Sequence, residues 1–524
     1  MRNIMRSNEG PDGDKPVLEE ADMAPAGRDS DQASRSHAFL SVLLHVTCSL
    51  MMSSHQSDVD ESDLDPIDLD GALDAAGFGS FQLKAMQALI LSQMVVGMET
   101  ALWWQLPPLL EHQWELSAEE LTTGQMACIT FFSAGSLLAG HAADFYGRFV
   151  SLLFLDSAYM IMMLLSSIAP TAVFLLAFRC SCSLLAGGRL SCALPLAMEI
   201  CPPRWRFGSA LIVACVGANI GSLYLIGARS VLDAVLGESY SATLEWRLLL
   251  LSCAVVELPV WFLMRNQLCE SLSFLYEEGM RGLCLNVLDY MAEENGQEVR
   301  FTGAVSLVGG RDEAEAQRRR ERRGLAKCSI TWVACAVCSG IVAAELMEDE
   351  SVVLNMAGSE KGKVKILQLA LLHVSSALFT LTLWDQVNHF DLVHFVCIVP
   401  AIVLGACFML IPPFHGLVSL LFGALLFFLI MALHSLSLAL FSTFLPSKSR
   451  CSSFGGGLCV TSFLHLLTLK LSSTFTKSLL RPLVPILLLL TLTAHALLRD
   501  ESDADDKMFV KSDEGAREEG TSVV

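Results

Sequence analysis

The chain has 524 residues and a formal net charge of −20, with 53% apolar residues and only 17% charged ones; its mean hydropathy is positive at +0.51. Soluble globular domains carry about a quarter charged residues, so this composition excludes an ordinary cytosolic enzyme, and the acidic balance excludes a nucleic-acid binder, which needs a basic footprint. The apolar residues fall in runs long enough to cross a bilayer, which indicates a polytopic membrane protein.

Met1–Leu83 holds 16 acidic and 5 basic residues, and Arg499–Val524 holds 9 acidic and 4 basic ones. Both segments are rich in Asp, Glu, Ser and Gly, so they bury too little apolar surface to offset ordering entropy. Residues 1–83 and 499–524 are therefore expected to be disordered acidic tails. Within the first, His37–Met52 is apolar but shorter than the roughly 20 residues a span needs, and it receives no assignment.

Six apolar runs follow, near Lys84–Leu110, Glu119–Gly140, Phe149–Ile168, Thr171–Leu190, Phe207–Arg229 and Trp246–Met264. Residues 84–264 are expected to form a first six-helix bundle. Gly217-x-x-x-Gly221 and Gly135-x-x-x-Ala139 put small residues one turn apart, which lets helices approach closely. Residues 265–326 read as a central loop carrying the basic run Arg318-Arg-Arg-Glu-Arg-Arg323. Six more runs lie near Lys327–Met347, Ile366–Trp384, Leu392–Ile411, Gly416–Phe441, Phe454–Phe475 and Pro482–Leu498, giving a second bundle over 327–498. The expected fold is an all-α membrane protein of twelve spans in two six-helix pseudo-repeats. The basic central loop puts it and both termini in the cytoplasm by the positive-inside bias. The 17 cysteines give no disulfide framework, and Cys335-x-x-Cys338 lies inside an apolar run with no second ligand pair.

Two landmarks recur. After the second run stands Gly140-His-Ala-Ala-Asp144-Phe-Tyr-Gly147-Arg148, and after the eighth Asp385-Gln-Val-Asn388-His389-Phe390. After the fourth stands Glu199-Ile-Cys-Pro202-Pro-Arg204-Trp-Arg206, and after the tenth Thr443-Phe-Leu-Pro446-Ser-Lys448-Ser-Arg450. Matching landmarks in two halves indicate a duplicated unit, as in transporters built from parallel repeats. The second copy lacks the Gly–Arg pair, with Asn388 and His389 in its place, and the Glu, with Thr443 in its place.

The pattern Gly140-x-x-x-Asp144-x-x-Gly147-Arg148 resembles the signature of the major facilitator superfamily. Ala75-Ala-Gly-Phe-Gly-Ser-Phe-Gln-Leu-Lys84, Met98-Glu99, Phe178-Arg179, Gly187-Gly188 and Glu270-Ser271 are similar to its synaptic-vesicle-protein-related branch, beside the sugar and organic-ion porters. The resemblance implies a cytoplasmic ion-pair gate of Asp144, Arg148, Glu199, Arg206 and Glu270, with Gly140 and Gly147 permitting a tight turn. Arg148, Arg204 and Arg206 also have a plainer reading as topogenic charges.

Ionisable and aromatic residues at mid-helix depth are candidates for a solute site, because a charge there is costly. Glu99 leads, with Trp103 one turn on to offer a ring face. Arg179 would pair with Glu99 or bind an anionic solute, and Asn219 would bind a solute hydroxyl or a neighbouring helix. Glu257 and Glu345 rank lower, as both are expected near a hydrated membrane face. His373, His434 and His465 read as packing residues. No catalytic or metal motif is present, so no enzyme activity and no cofactor is expected. The expected function is secondary or facilitative transport of a small organic solute by alternating access, with a coupled proton or other ion as a further partner. The rival is a non-transporting membrane receptor, sensor or scaffold that kept the fold and lost the second gate.

Overall fold

The computed structural model describes residues 66–67, 69–236, 242–299, 304–305, 311–348, 390–410, 416–474 and 480–495, with isolated positions at 375, 378, 379 and 497. Asp385–His389, His373, the segment His37–Met52 and the side chain of Glu345 lie outside the described residues. Among them the chain is nearly all helical, and nine helices are long and apolar enough to cross a membrane.

A two-stranded parallel sheet pairs β1 (Pro66–Ile67) with β2 (Ala304–Val305). Helix α1 (Leu69–Ala76) comes next and corrects the expectation that all of residues 1–83 are disordered. Its apolar residues Leu69, Ala72, Leu73 and Ala76 share one stripe and are buried. That stripe covers α10 (Arg281–Glu294), a helix in the segment expected to be a plain loop. Asn295 fastens the joint: its side chain donates to the Ala76 and Gly77 carbonyls, each at 3.0 Å, and accepts from the Phe81 N–H at 3.0 Å.

The N-terminal spans are α2 (Ser80–Gln105), α4 (Ala118–Tyr146), α5 (Arg148–Ser167), α6 (Ala172–Glu199), α7 (Arg206–Leu236) and α8 (Ala242–Gln267), with short α3 (Pro107–Trp114) and α9 (Leu272–Glu277) beside them. At 1.5 Å per residue, the 26 residues of α2 reach about 39 Å, enough for a hydrocarbon core of about 30 Å. Ser117 starts α4 with a capping box, its hydroxyl accepting from the Glu120 N–H while the Glu120 carboxylate takes the Ser117 N–H at 2.8 Å. Small residues bring the helices together. A Cβ on Gly97, Gly217 or Gly221 would overlap the facing backbone of the α2–α7 contact, and one on Gly135 would overlap the Leu184 carbonyl of α6.

The C-terminal helices are α11 (Arg311–Glu348), α12 (Phe390–Leu410), α13 (Gly416–Thr443), α14 (Arg450–Thr474) and α15 (Leu483–His495). The helix α11 begins at Arg311, so the basic run is helical and continuous with the span. The fully buried Trp332 of α11 packs on Phe441 at 5.0 Å and stacks on Phe454 at 5.9 Å. His434 lies against Trp332, and His465 meets Ser339 Oγ at 3.2 Å. The N- and C-terminal helices meet chiefly where α4 and α6 pack on α14 and where α7 packs on α13.

Candidate functional site

Three groups of ionisable residues stand inside this bundle. The first lies where α4, α5 and α6 meet the start of α14. The helix α4 runs six residues past its expected end, so Asp144 sits on its last turn, and the break falls at Gly147, whose φ of +104° suits glycine. A Cβ there would also strike the Glu270 carboxylate. Gly140 plays another part than the turn expected of it. It lies inside α4, and a Cβ would collide with the Cys451 carbonyl of α14.

Arg148 is wholly buried and reaches Asp144 at 3.4 Å and Glu199 at 3.2 Å, and its guanidinium donates to the Ser447 carbonyl at 2.7 Å. Arg450, at the start of α14, donates to Glu199 at 2.7 Å. Asp144 in turn accepts the N–H groups of Cys451 at 3.2 Å and Ser452 at 2.7 Å, an acidic group on a helix N-terminus. Ser271 Oγ donates to Glu199. Glu270 accepts the N–H groups of Arg148 at 2.8 Å and Phe149 at 3.1 Å, which ties the start of α5 to the segment after α8. Burial raises the Glu270 carboxyl above its ordinary range, against the pull of the Ser271 and Phe149 N–H groups and the Arg148 charge.

Arg206 does not join this network. It turns to Asp70 of α1, at 2.5 Å. Asp70 supplies both of its carboxylate oxygens to the Arg206 guanidinium, while Thr443, at the position where the repeat would offer Glu, donates its hydroxyl to the Leu440 carbonyl at 2.8 Å. Sequence reasoning missed both Asp70, because it lay in a segment read as a tail, and Arg450's partnership with Glu199, although Arg450 had been marked as a recurring base.

The second group lies deeper. Glu99 of α2 is fully buried and paired to Arg179 of α6 at 2.5 Å. It accepts from Ser183 Oγ at 2.6 Å and from the Tyr159 hydroxyl of α5 at 3.2 Å. Trp103 joins the same set, its indole N–H donating to Ser183 Oγ at 3.1 Å, with its ring edge-on to Phe132 at 5.5 Å. Glu99, Trp103 and Arg179 thus come together, and the partners named here are all on N-terminal helices. Asn219 lies on α7, half-buried.

The third group was not foreseen. Arg189 of α6, Asp156 of α5 and Glu257 of α8 are all fully buried. Arg189 Nη2 contacts Asp156 and bonds Glu257 at 2.6 Å. Glu257 is therefore an ion-paired interior residue, and its expected hydration is corrected. The signal was in the sequence, since Asp156 and Arg189 are charges inside apolar runs, where charge placement is costly.

Comparison with known proteins bears on this arrangement. The pattern of the family described as "Sugar (and other) transporter" matches residues 98–440. The Synaptic vesicle 2-related protein of Xenopus laevis is 26% identical over 228 residues, 44% of this chain and 40% of that protein; the chain thus matches well under half of that relative's length. Among solved structures, the major facilitator superfamily proton:xylose symporter XylE bound to 6-bromo-6-deoxy-D-glucose superposes with a TM-score of 0.61 at 14% identity, covering 79% of this chain and 94% of that one. The inward-open form of XylE from E. coli gives 0.51 at 14% identity, covering 80% and 95%. With the family pattern spanning well over half of its length, the chain belongs to the sugar (and other) transporter family of the major facilitator superfamily, as a multi-pass membrane protein resembling the synaptic-vesicle-2-related branch.

Proposed function

We propose that the protein moves a small organic solute by alternating access, using twelve spans in two six-helix repeats, 84–264 and 327–498, with both termini and the segment 265–326 in the cytoplasm. The observation that carries the reading is the latch between the N- and C-terminal helices: Asp144 on the α14 N–H groups, Arg148 on the Ser447 carbonyl and Arg450 on Glu199. Such contacts close one end of the bundle. These ion pairs and helix-end hydrogen bonds stand beside an apolar seam in which Phe441, Cys451 and Phe454 share one core with the N-terminal helices, so opening has to break polar and apolar contacts together. Asp144, Arg148, Glu199 and Glu270, with Gly140 and Gly147, act as the cytoplasmic gate. Arg206 acts beside them, holding α1.

The solute site is assigned to Glu99, Trp103, Arg179 and Asn219. Glu99 and Arg179 neutralise each other inside the bundle, so a proton delivered to Glu99 would free Arg179 and Ser183 for a solute, as suits a symporter. XylE, whose fold the chain shares, is a proton:xylose symporter, which suits this class of coupling, and membership of the sugar (and other) transporter family suits a sugar-like or other small polar solute.

The test is thermal unfolding of the purified, detergent-solubilised chain against monosaccharides, polyols, nucleosides, organic cations and organic anions. A ligand that binds only the folded state raises the apparent melting temperature. A compound that stabilises the native protein and not Glu99→Gln supports the reading and names the solute class. Silence across the panel, from a protein that melts cooperatively, would overturn it and leave a chain that kept the fold without a working site.

A further inference from the structure

The gate and the Glu99 site leave the third charged group without a task. Its three side chains come from three helices, Asp156 on α5, Arg189 on α6 and Glu257 on α8, and each is fully buried. Two carboxyls share one guanidinium, and both reach it through the same nitrogen, Nη2. The groups that face them are few. Ser92 Oγ of α2 lies 3.4 Å from Nη2, the Tyr159 ring of α5 lies 5.4 Å below the guanidinium, and Cys253 of α8 stands within electrostatic reach of Glu257. Among the described residues, no second cation acts on Asp156 or Glu257. Asp156 Oδ2, Glu257 Oε2, Arg189 Nε and Arg189 Nη1 have no hydrogen-bond partner among the described residues.

Charge counting then decides the state of the group. With both carboxyls ionised the cluster carries a net negative charge in the protein interior. An uncompensated buried charge is among the costliest groups a fold can hold, and neutralisation is its ordinary outcome. A metal cation is a poor neutraliser here, because the guanidinium already occupies the approach to both carboxyls and would repel it. A proton on Asp156 Oδ2 or Glu257 Oε2 satisfies the count: it leaves one ionised carboxylate for Arg189 and gives the other an O–H donor.

The cluster is also wired to the Glu99 site. Tyr159 stands one turn from Asp156 on α5, places its ring under Arg189, and donates its hydroxyl to Glu99 at 3.2 Å. One rigid side chain therefore touches both charged groups, so a change of charge at either alters the field at the other.

We infer that Asp156, Arg189 and Glu257 form a second proton-binding site, in which the two carboxyls share one proton, and that Tyr159 couples its occupancy to Glu99. The proton's residence at the cluster stands without the solute site; only the coupling rests on the proposed function of Glu99.

Infrared spectroscopy of the purified full-length chain tests both parts without transport or ligand. At neutral pH the native protein should show a protonated-carboxyl band that is lost in Asp156→Asn and equally in Glu257→Gln, because either amide supplies the neutral partner and leaves the other acid ionised against Arg189. Retention of the whole band in either variant overturns the shared proton. Failure of both isosteric variants to fold also overturns it, since a cluster that already holds one proton should accept one neutral amide. For the coupling, Glu99→Gln should keep the band but displace its pH midpoint by more than about half a pH unit, and in a Tyr159→Phe background that displacement should vanish. An unmoved midpoint in Glu99→Gln, or an equal displacement without the Tyr159 hydroxyl, overturns the link. Failure of Glu99 as a solute site would show instead in the thermal panel, with the band unaffected.

Discussion

Arg450→Gln isolates the one ion pair that, among the described residues, joins the C-terminal helices to the buried acid of the proposed gate. Arg450 Nη1 lies 2.7 Å from Glu199 Oε1, with 12% of the arginine side chain exposed and none of the glutamate's. Stripping the sole partner from a buried charge costs about 3–5 kcal/mol. Glu199 keeps Arg148 at 3.2 Å and the Ser271 hydroxyl, so the loss is that of one charge-assisted hydrogen bond, about 1.5–3 kcal/mol. Where that bond exists only in the closed arrangement, the closed-to-open ratio falls by roughly 10–150-fold, at 1.4 kcal/mol per factor of ten. Cys451 is a native reporter, because it is fully buried against α4 beside Gly140 and Asp144. When closing is fast relative to labelling, the rate of modification by a small maleimide follows the open population, and peptide mass spectrometry reads it at Cys451 alone. Arg206→Gln is the control. Its partner Asp70 is half exposed, such a pair is worth about 0–1 kcal/mol, and labelling should rise less than about five-fold. Equal labelling of the native chain and Arg450→Gln, or as large a rise in Arg206→Gln, would refute the latch.

Gly140→Leu should hold the same end open, since the side chain would occupy the space of the Cys451 carbonyl; Cys451 should then label at the rate of an exposed thiol while far-ultraviolet circular dichroism keeps the native helix content. Gly147→Ala combines a φ of +104° with a Cβ against Glu270, and a cost of about 1–3 kcal/mol should appear as a lower melting temperature. Glu270 gives the pH dependence. Burial raises its folded-state value, so the folded chain holds the proton more tightly than the unfolded one; the stability this contributes is complete below the unfolded value of about 4.3 and is lost as pH rises through the folded value. The melting temperature of the native protein should therefore fall relative to Glu270→Gln across that window, and parallel curves in a pH series of thermal scans would contradict the assignment.

Much of the proposed gate was legible because its residues stand on the motifs that resemble the major facilitator superfamily. Asp144 and Arg148 are one turn apart, and Glu199 and Glu270 follow fixed landmarks. What spacing does not reveal is the partner. Asp144 and Arg148 meet backbone groups of residues 447, 451 and 452, and a backbone group leaves no mark in the side-chain pattern. Asp70 was hidden for a different reason: α1 is eight residues long, too short to stand alone, and it is helical because α10 covers its stripe. Glu99 and Arg179 were singled out from their depth, with Arg179 left open as a partner of Glu99 or a binder of an anionic solute. Asp156, Arg189 and Glu257 were equally deep and formed no motif, and only the tertiary fold shows that three separate runs bring them to one nitrogen.

The same distinction between side-chain and backbone partners accounts for the loss of the landmarks in the second half. On the N-terminal side the gate uses Asp144, Arg148 and Glu199, each with its own side-chain chemistry. On the C-terminal side three of the four acceptors or donors are backbone groups, at the turn Ser447–Ser449 and the first residues of α14. Backbone N–H and C=O groups at a helix start are present whatever the side chains, so substitution at positions such as Thr443 leaves this contact intact. Arg450 is the exception, because its side chain reaches Glu199 from across the interface, and Arg450 is a landmark present after the tenth apolar run. Arg206 pairs with Asp70 of α1. On the proposed reading the contact at Asp144, Arg148, Glu199 and Arg450 is an asymmetric gate, and a single charge reversal at Arg450 should damage closure more than any change to the side chain of Thr443.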